Sequence, residues 1–359
     1  MEEPEKKHKK PVLRIVIFSL LAFAILVLAL AGITAYRWIL KPNVEIRSAP
    51  VTCICIPTGS GFSRVRSILY DQNLIINHRS FEWVAKWKDY DTRVKPGRYR
   101  IQAGMSNNDL VNLLRSGKQE PVRLIFNSLV TREELAGRIS RQIEADSVTL
   151  LRKLNDPAFL QQYHVKPSTV FVLFIPNTYE FYWNTSAEQF FSRMYREQKE
   201  FWTPARINKS STQGHTITQV VTLASIIERE TAKDAEKPSI AGVYLNRMKK
   251  NWPLQADPTL IFAWNDYSIR RVLDRHKLIQ SPYNTYIHTG LPPGPLCLPS
   301  IASIDAVLNP ARSGYMYMCA KDDQSGYHVF AETLPEHIRN AKKYQESLKK
   351  AEQRKKNGN

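Results

Sequence analysis

Acidic residues are scarce in this sequence. Asp and Glu number 33 against 51 Lys and Arg, a formal charge of +18 over 359 residues. Such a field favours anionic partners, whether nucleic acid, anionic lipid or acidic polymer. Cysteine is nearly as sparse, with Cys53, Cys55, Cys297 and Cys319 only, and the eight histidines are scattered. No Cys/His spacing matches a zinc site, so no metal is expected. Cys53 and Cys55 lie two apart in the strand-like "VTCICIP", share a face and cannot easily bridge each other. The four read as buried small residues, with a Cys297–Cys319 disulfide left open. Glycine is limited to 14 residues in an otherwise ordinary globular composition. Gly59-Ser60-Gly61 precedes a helix but lacks both the Walker lysine and the third glycine of a dinucleotide loop, so it reads as a turn. No organic cofactor is called for either.

The long apolar run that is present narrows the charge argument. Lys6, Lys7, Lys9, Lys10 and Arg14 precede "IVIFSLLAFAILVLALAGITA", 21 uncharged residues from Ile15 to Ala35. Roughly 20 such residues span a bilayer core. Tyr36, Arg37 and Trp38 follow as an interfacial anchor, and the basic leader is expected to stay cytoplasmic. The rival reading is a cleaved signal peptide with Ala29-Leu30-Ala31 as its small-residue site. The apolar run continues past that point, which favours a retained single-pass anchor with the bulk of the chain outside the cytoplasm. Residues 1–41 hold seven Lys/Arg and three Asp/Glu, so +14 of the +18 lies on the outward part. An outward location argues against nucleic acid as the partner.

Five parts are expected: a basic leader 1–14, a transmembrane helix 15–36, an α+β module 44–118, a mixed α+β domain 121–348 and a basic tail 349–359. In the module, "GFSRVRSILYDQNLI" reads as a helix and "KPGRYRIQAG" as a strand. "SNNDLVNLLRSG" reads as a helix with Ser106 and Asp109 at its start and Gly117 at its end. The domain opens on the strand "VRLIFN" and a helix capped by Thr131 and Glu134. The aromatic-dense "FVLFIPNTYEFYWNTS" fits no helical period; it suits a sugar platform or, more commonly, a core. "WPLQADPTLIFAWND" and "SPYNTYIHTGLPPGPLCLPS" read as proline-punctuated polar loops, where sites tend to lie. The chain closes on a basic helix expected to fray beyond about Leu348.

The segment "GHTITQVVTLASIIERET" is apolar on almost every side and is expected to be a buried helix capped by Thr216 and Gln219. It nevertheless carries Glu228 and Glu230. At about 100° per residue the two point to opposite sides and cannot form a carboxylate pair. One can face a cleft while the other meets a basic partner, with Arg229 and Arg247 the cations at hand. Apolar packing around either would raise its pKa and keep it a proton donor near neutrality. Geometry alone does not choose between them.

"LASIIERET", "VYLNRM", "LQADPTLIFA", "YNTYIHTGLPPGPL" and "YHVFAETLPEH" occur in one order along the chain. In these segments, with the anchor and the 44–118 module, the chain resembles the YceG-like family, the endolytic murein transglycosylases. "FIPNTY" carries Asn177 where members often have Asp, which leaves proton handling at that position in doubt. The resemblance implies non-hydrolytic cleavage of the MurNAc-β-1,4-GlcNAc bond in nascent glycan strands, leaving 1,6-anhydroMurNAc ends and terminating elongation. It makes the module LysM-like and Glu230, the second glutamate of the E-x-E-T element, the catalytic acid. It also makes peptidoglycan synthases candidate partners at the cell membrane. Glu228 is assigned a supporting role, and Gln255, Asp257, Asn284 and Tyr286 on the matching loops are expected to bind substrate. The alternatives are a non-catalytic membrane-anchored wall-binding scaffold and an external basic protein for anionic polymers.

Overall fold

The computed structural model describes residues 10–47, 49–126 and 129–357. Residues 1–9 of the expected leader, Asn127 of the expected strand and the last two residues of the tail lie outside that set. Helix α1 runs Lys10–Ile39, and its segment Leu13–Ile39 is long and apolar enough to cross a membrane. At 1.5 Å per residue that segment is about 40 Å long. Its large side chains are exposed, Phe18 and Leu28 each to 70%.

The rest divides into two compact units, one reaching to Val122 with Phe181–Asn184, the other comprising Arg123–Glu180 and Thr185 onward. In the first, β1 (Val51–Ile56) and β2 (Gly97–Gln102) pair antiparallel, with α2 (Phe62–Asp71) and α3 (His78–Trp87) between them and α4 (Asn107–Ser116) after. The strand period of two sends Ile54, Ile56, Tyr99 and Ile101 inward, against Phe81 and Val84 of α3 and Leu110 and Leu114 of α4. Cys53 and Cys55 share the other face. Helix α4 starts with the Ser106–Asp109 capping box and stops at Gly117, whose φ of 74° suits a residue without a Cβ. The fully buried Asn107 amide is satisfied: it donates to the Ser80 hydroxyl and the Trp38 carbonyl and accepts from Asn43.

The second unit starts within β3 (Val122–Phe126), at Arg123, and β3 pairs with β4 (Asn177–Phe181). Between them lie α5 (Arg132–Ser140), opened by the Thr131–Glu134 capping box, then α6 (Ser147–Asn155), α7 (Pro157–Gln161) and a 3₁₀ turn, Pro167–Leu173. The aromatic-dense stretch is core. Phe174 stacks on Phe190 and meets Phe126 and Phe191 edge-on, while Tyr182 alone among its large residues is well exposed. Helices α8 (Ala187–Phe201) and α9 (Pro204–Thr212) lead into α10 (Ile217–Glu230). All eight residues from Val220 to Ile227 are buried, packed by α11 (Lys237–Lys249), α12 (Asp257–Trp264) and α13 (Ile301–Leu308). The hairpin β5 (Tyr317–Ala320) and β6 (His328–Ala331) and helix α14 (Leu334–Asn357) complete the chain. The whole is a mixed α and β protein with small sheets.

Two expectations change, and the disulfide left open is answered. The "DPTLIFAW" part of an expected loop is α12: Pro258 tolerates the first turn, and the apolar residues behind it have a core to enter. Helix α14 persists through Asn357 rather than fraying near Leu348. Cys297 and Cys319 are free thiols, and buried Cys297 lies against the Ser225 carbonyl at 3.6 Å.

The loop after α12 is pinned at Gly294, where a Cβ would lie 2.0 Å from the Ser168 carbonyl oxygen. Gly294→Ala is therefore expected to destabilise the protein by about 1–3 kcal/mol. Gly137→Ala, in α5 with nothing within 4 Å of the added carbon, is expected to stabilise by about 0.5–1 kcal/mol. Chemical denaturation of the two variants checks the contrast.

Candidate active site

Helix α10 ends on its two carboxylates, and their surroundings differ sharply. Glu228 Oε2 accepts from Ser300 Oγ at 2.5 Å, Ser303 Oγ at 2.6 Å, Lys237 Nζ at 3.0 Å and the Ser300 amide at 3.2 Å. Burial works to raise its pKa, but the hydrogen bonds from Ser300, Ser303 and Lys237 and the lysine's charge outweigh it and bring the carboxyl to about 2. The cation is Lys237, 3% exposed at the start of α11, rather than Arg229 or Arg247. Glu228 is a fixed anion that ties α10 to α11 and to the start of α13.

Glu230, rotated about 200° from Glu228 around the helix, is half-buried in other company. Its Oε1 accepts from the Tyr244 hydroxyl at 2.5 Å. Burial pushes its pKa up to about 7. The Tyr244 bond opposes the shift, Asp257 adds to it, and His328 and Arg247 pull it down. Its place at the C-terminal end of α10, the negative pole of the helix dipole, acts in the same direction as burial.

The surrounding groups come from motifs far apart in sequence. Tyr244 and Arg247, one turn apart on α11, share a face. Arg247 is buried and held by the carbonyls of Met316, at 2.8 Å from Nε, and Leu254, at 2.5 Å from Nη1. Tyr286 donates to Asp257 Oδ1 at 2.5 Å, and burial with that acidic partner drives its phenol pKa far upward. Two threonines join the loops that carry this pair. Thr259 and Thr285 hydroxyls meet at 2.8 Å, and the Gln255 and Ala256 amides donate to the Thr285 carbonyl and hydroxyl. Gln255 is held at a φ of 49°, a left-handed conformation uncommon for this residue, with its side chain exposed.

Of the expected site residues, Asp257 and Tyr286 join Glu230 in one electrostatic cluster, and Gln255 lies two residues from Asp257. Asn284 differs. It is fully buried, its amide donates to the carbonyls of Lys277 and Ile279, and its Oδ1 accepts from the Tyr286 amide. Its polar atoms are engaged by the loop and by the Tyr286 amide. Asn177 is exposed, its Oδ1 accepting from the Thr178 amide.

Sequence reasoning assigned no role to Tyr244, or to the pair Glu236 and His328. Glu236 is buried, accepts from Thr231 Oγ1 at 2.5 Å and the His328 amide at 2.8 Å, and lies 2.9 Å from His328 Nδ1. This joins the E-x-E-T threonine to the start of β6. Tyr244 and His328 sit inside the quoted "VYLNRM" and "YHVFAETLPEH" segments, which were the available signal. Among the described residues no group of three or more His, Cys, Asp and Glu is arranged to hold a metal ion.

A helix-borne, half-buried carboxyl with an elevated pKa, a phenol donor and a carboxylate–phenol pair beside it make a candidate acid–base site on a mixed α and β fold. The chain belongs to the YceG-like family, whose sequence pattern matches residues 54–343. It is 31% identical over 339 residues to the endolytic murein transglycosylase of Bacillus subtilis strain 168, covering 88% of this chain and 91% of that protein. It is 27% identical over 358 residues to the endolytic murein transglycosylase of Streptococcus pneumoniae D39, spanning 64% of that longer protein. A crystal structure of a YceG-like protein from Listeria monocytogenes aligns with a TM-score of 0.54 at 29% identity, over 81% of this chain and 98% of that one.

The two carboxylates give opposite pH signatures. The raised Glu230 pKa means stability is intact below about 4.5 and is lost as pH rises through about 7. Glu230→Gln is therefore expected to match wild type near pH 4 and exceed it by about 3 kcal/mol at pH 8. Glu228 has the depressed pKa, so its contribution is present above about 4.5 and lost as pH falls through about 2. Glu228→Gln is expected to cost about 3 kcal/mol at neutral pH, the gap narrowing in acid. Denaturant titrations of all three proteins across pH read both effects.

Proposed function

We propose that this chain is a membrane-anchored endolytic murein transglycosylase that uses Glu230 as its acid and base. The observation that carries the reading is the position of Glu230, half-buried at the end of α10 with the Tyr244 hydroxyl on its Oε1, where burial raises its pKa to about 7, in a chain of the YceG-like family. A carboxyl of that kind can deliver a proton and take one back at neutral pH.

The substrate class needs no more than this. Ordinary glycosidases use two carboxylates, one as acid and one as nucleophile or base. When the C6 hydroxyl of N-acetylmuramic acid attacks its own anomeric carbon, the nucleophile arrives tethered, at high effective molarity. The new O6–C1 bond forms as the C1–O4 bond to N-acetylglucosamine breaks. Glu230 gives its proton to the departing O4 and receives the O6 proton, so no water is consumed and the carboxyl ends as it began. The Tyr244 hydroxyl occupies Oε1, which leaves Oε2 for the proton transfers. Asp257 and Tyr286 orient sugar hydroxyl and acetamido groups, Gln255 extends the same rim, and Asn284 acts through Tyr286. Glu228 supports the site by fixing α10 against α11. A non-catalytic scaffold gains nothing from a carboxyl held near neutrality.

In the same reading α1 is a single-pass anchor with the leader cytoplasmic and the remainder outside. Trp38 meets Trp83 edge-on, and Trp87 stacks on Trp83, a concentration of indoles suited to the bilayer interface where α1 ends. The first unit then serves as a LysM-like module that holds the glycan strand, and the second as the catalytic domain. Peptidoglycan synthases are the natural partners of an enzyme acting on nascent strands.

Glu230→Gln is expected to fold, reach the membrane and bind glycan while releasing anhydro-ended fragments at least 10² to 10⁴ more slowly. Glu228→Gln retains more activity per folded molecule. Mass spectrometry of digested peptidoglycan, at matched folded protein, makes the comparison. Near-normal turnover by Glu230→Gln would reject its role. A reporter fused after Asn359 is expected to be active only outside the cytoplasm, and cytoplasmic activity would reject the topology.

A further inference from the structure

Helix α11 also faces a second cleft. Tyr244 and Arg247 turn toward Glu230, whereas Gly242, Asn246 and Lys249 line a separate cleft of about 750 Å³ within the second unit. None of the acid–base residues borders it, and neither aspartate nor glutamate lines it among the described residues. Its volume falls within the range of small-molecule sites, about 300–1,000 Å³.

Three basic residues border it, Lys209, Lys249 and Arg312, all exposed. Among the described residues none of them makes a salt bridge with a carboxylate. Lys209 is aimed by the Asn309 side chain, which accepts from its Nζ at 2.6 Å. His215 is also at the cleft; burial, with the charge of Lys249, lowers its pKa, so at neutral pH it adds polarity rather than charge. Like charges gathered without a counter-ion repel one another unless an anion joins them.

Two lining residues specify more than charge. Gln213 Nε2 donates to the Leu308 carbonyl at 3.0 Å, which fixes the amide and leaves Oε1 buried without a partner. Ser313 Oγ is likewise buried and unpartnered. Oxygens placed this way call for a donor, from water or from a ligand. A deprotonated oxygen cannot satisfy Gln213 Oε1, whereas a hydroxyl held apart from the phosphate on the organic part of a ligand can. The wall beside them has little room to adjust: Gly242 admits no Cβ, which would sit 2.7 Å from the Ala311 carbonyl oxygen, and Asn246 donates to the carbonyls of Ser313 and Tyr315.

We propose that this cleft binds a hydroxylated phosphate ester, a polyol or sugar phosphate. The phosphate sits among Lys209, Lys249 and Arg312, with a hydroxyl donating to Gln213. Arginine supplies a bidentate fork and the lysines point charges, the usual division at phosphate sites. A bare carboxylate would leave the Gln213 oxygen unmet.

The test is calorimetric titration of the full chain in phosphatidylcholine nanodiscs with glycerol 1-phosphate, inorganic phosphate and acetate. Saturable glycerol phosphate binding is expected, at least tenfold tighter than either simple anion. Lys249→Gln and Arg312→Gln should each weaken it about tenfold, the scale of one charge-assisted hydrogen bond. Gln213→Leu should erase the preference over inorganic phosphate. Glycan cleavage by Arg312→Gln should be unchanged, which separates this site from Glu230. Weaker apparent affinity in discs containing phosphatidylglycerol would identify the bilayer headgroup as the source of the ester. Equal affinity would identify a soluble or wall-borne ester, and either result upholds the chemistry. No saturable binding, equal binding of acetate, or undiminished binding by both charge variants would overturn the proposal.

Discussion

Burying carboxylates at the end of an apolar helix is the constraint around which this protein is arranged. A carboxyl taken from water must be satisfied as an anion or kept neutral, and α10 does one of each within three residues. Glu228 is saturated by two serine hydroxyls, a backbone amide and buried Lys237. Glu230 is given a single phenol donor and a neighbouring acid, so its proton stays until near neutrality. The first arrangement fixes α10, α11 and α13 against one another. The second holds a carboxyl poised to exchange a proton. Satisfying both sides of the helix equally would have produced two structural anions and no acid.

The loops follow from the same requirement. Asp257 acts on Glu230 from the start of α12, which the Thr259–Thr285 contact ties to the loop that carries Tyr286. Asn284 contributes by disappearing into that frame, and Tyr286 emerges from it to meet Asp257. Arg247 donates from Nε and Nη1 to two backbone carbonyls. Its charge is thereby present near Glu230 without a direct ion pair, which would have lowered the pKa far more.

Much of this was legible in the sequence because it is local. Capping boxes at Ser106, Thr131 and Thr216 follow from residues three apart, and all three form. The opposed directions of Glu228 and Glu230 follow from helical geometry. What escaped is long-range. The apolar residues of α12 were masked by the prolines and polar groups on either side. The partners of Glu228, Ser300 and Ser303, lie more than seventy positions away and carry no periodic signal. Nothing local distinguishes Asn284 as a ligand-binding amide from Asn284 as a loop brace, since that depends on which carbonyls fold over it. The bridge from Glu236 to His328 joins residues 92 positions apart and carries no local signal.

The central claim is that Glu230 remains protonated close to neutral pH because of where the fold puts it. Infrared difference spectroscopy across pH, comparing wild type with Glu230→Gln, observes that proton directly through the carbonyl stretch of the protonated acid. The expected result is a band that titrates away with a midpoint near 7 in wild type and is missing from the variant. A wild-type band lost near the ordinary glutamate pKa, about 4.3, would contradict the account.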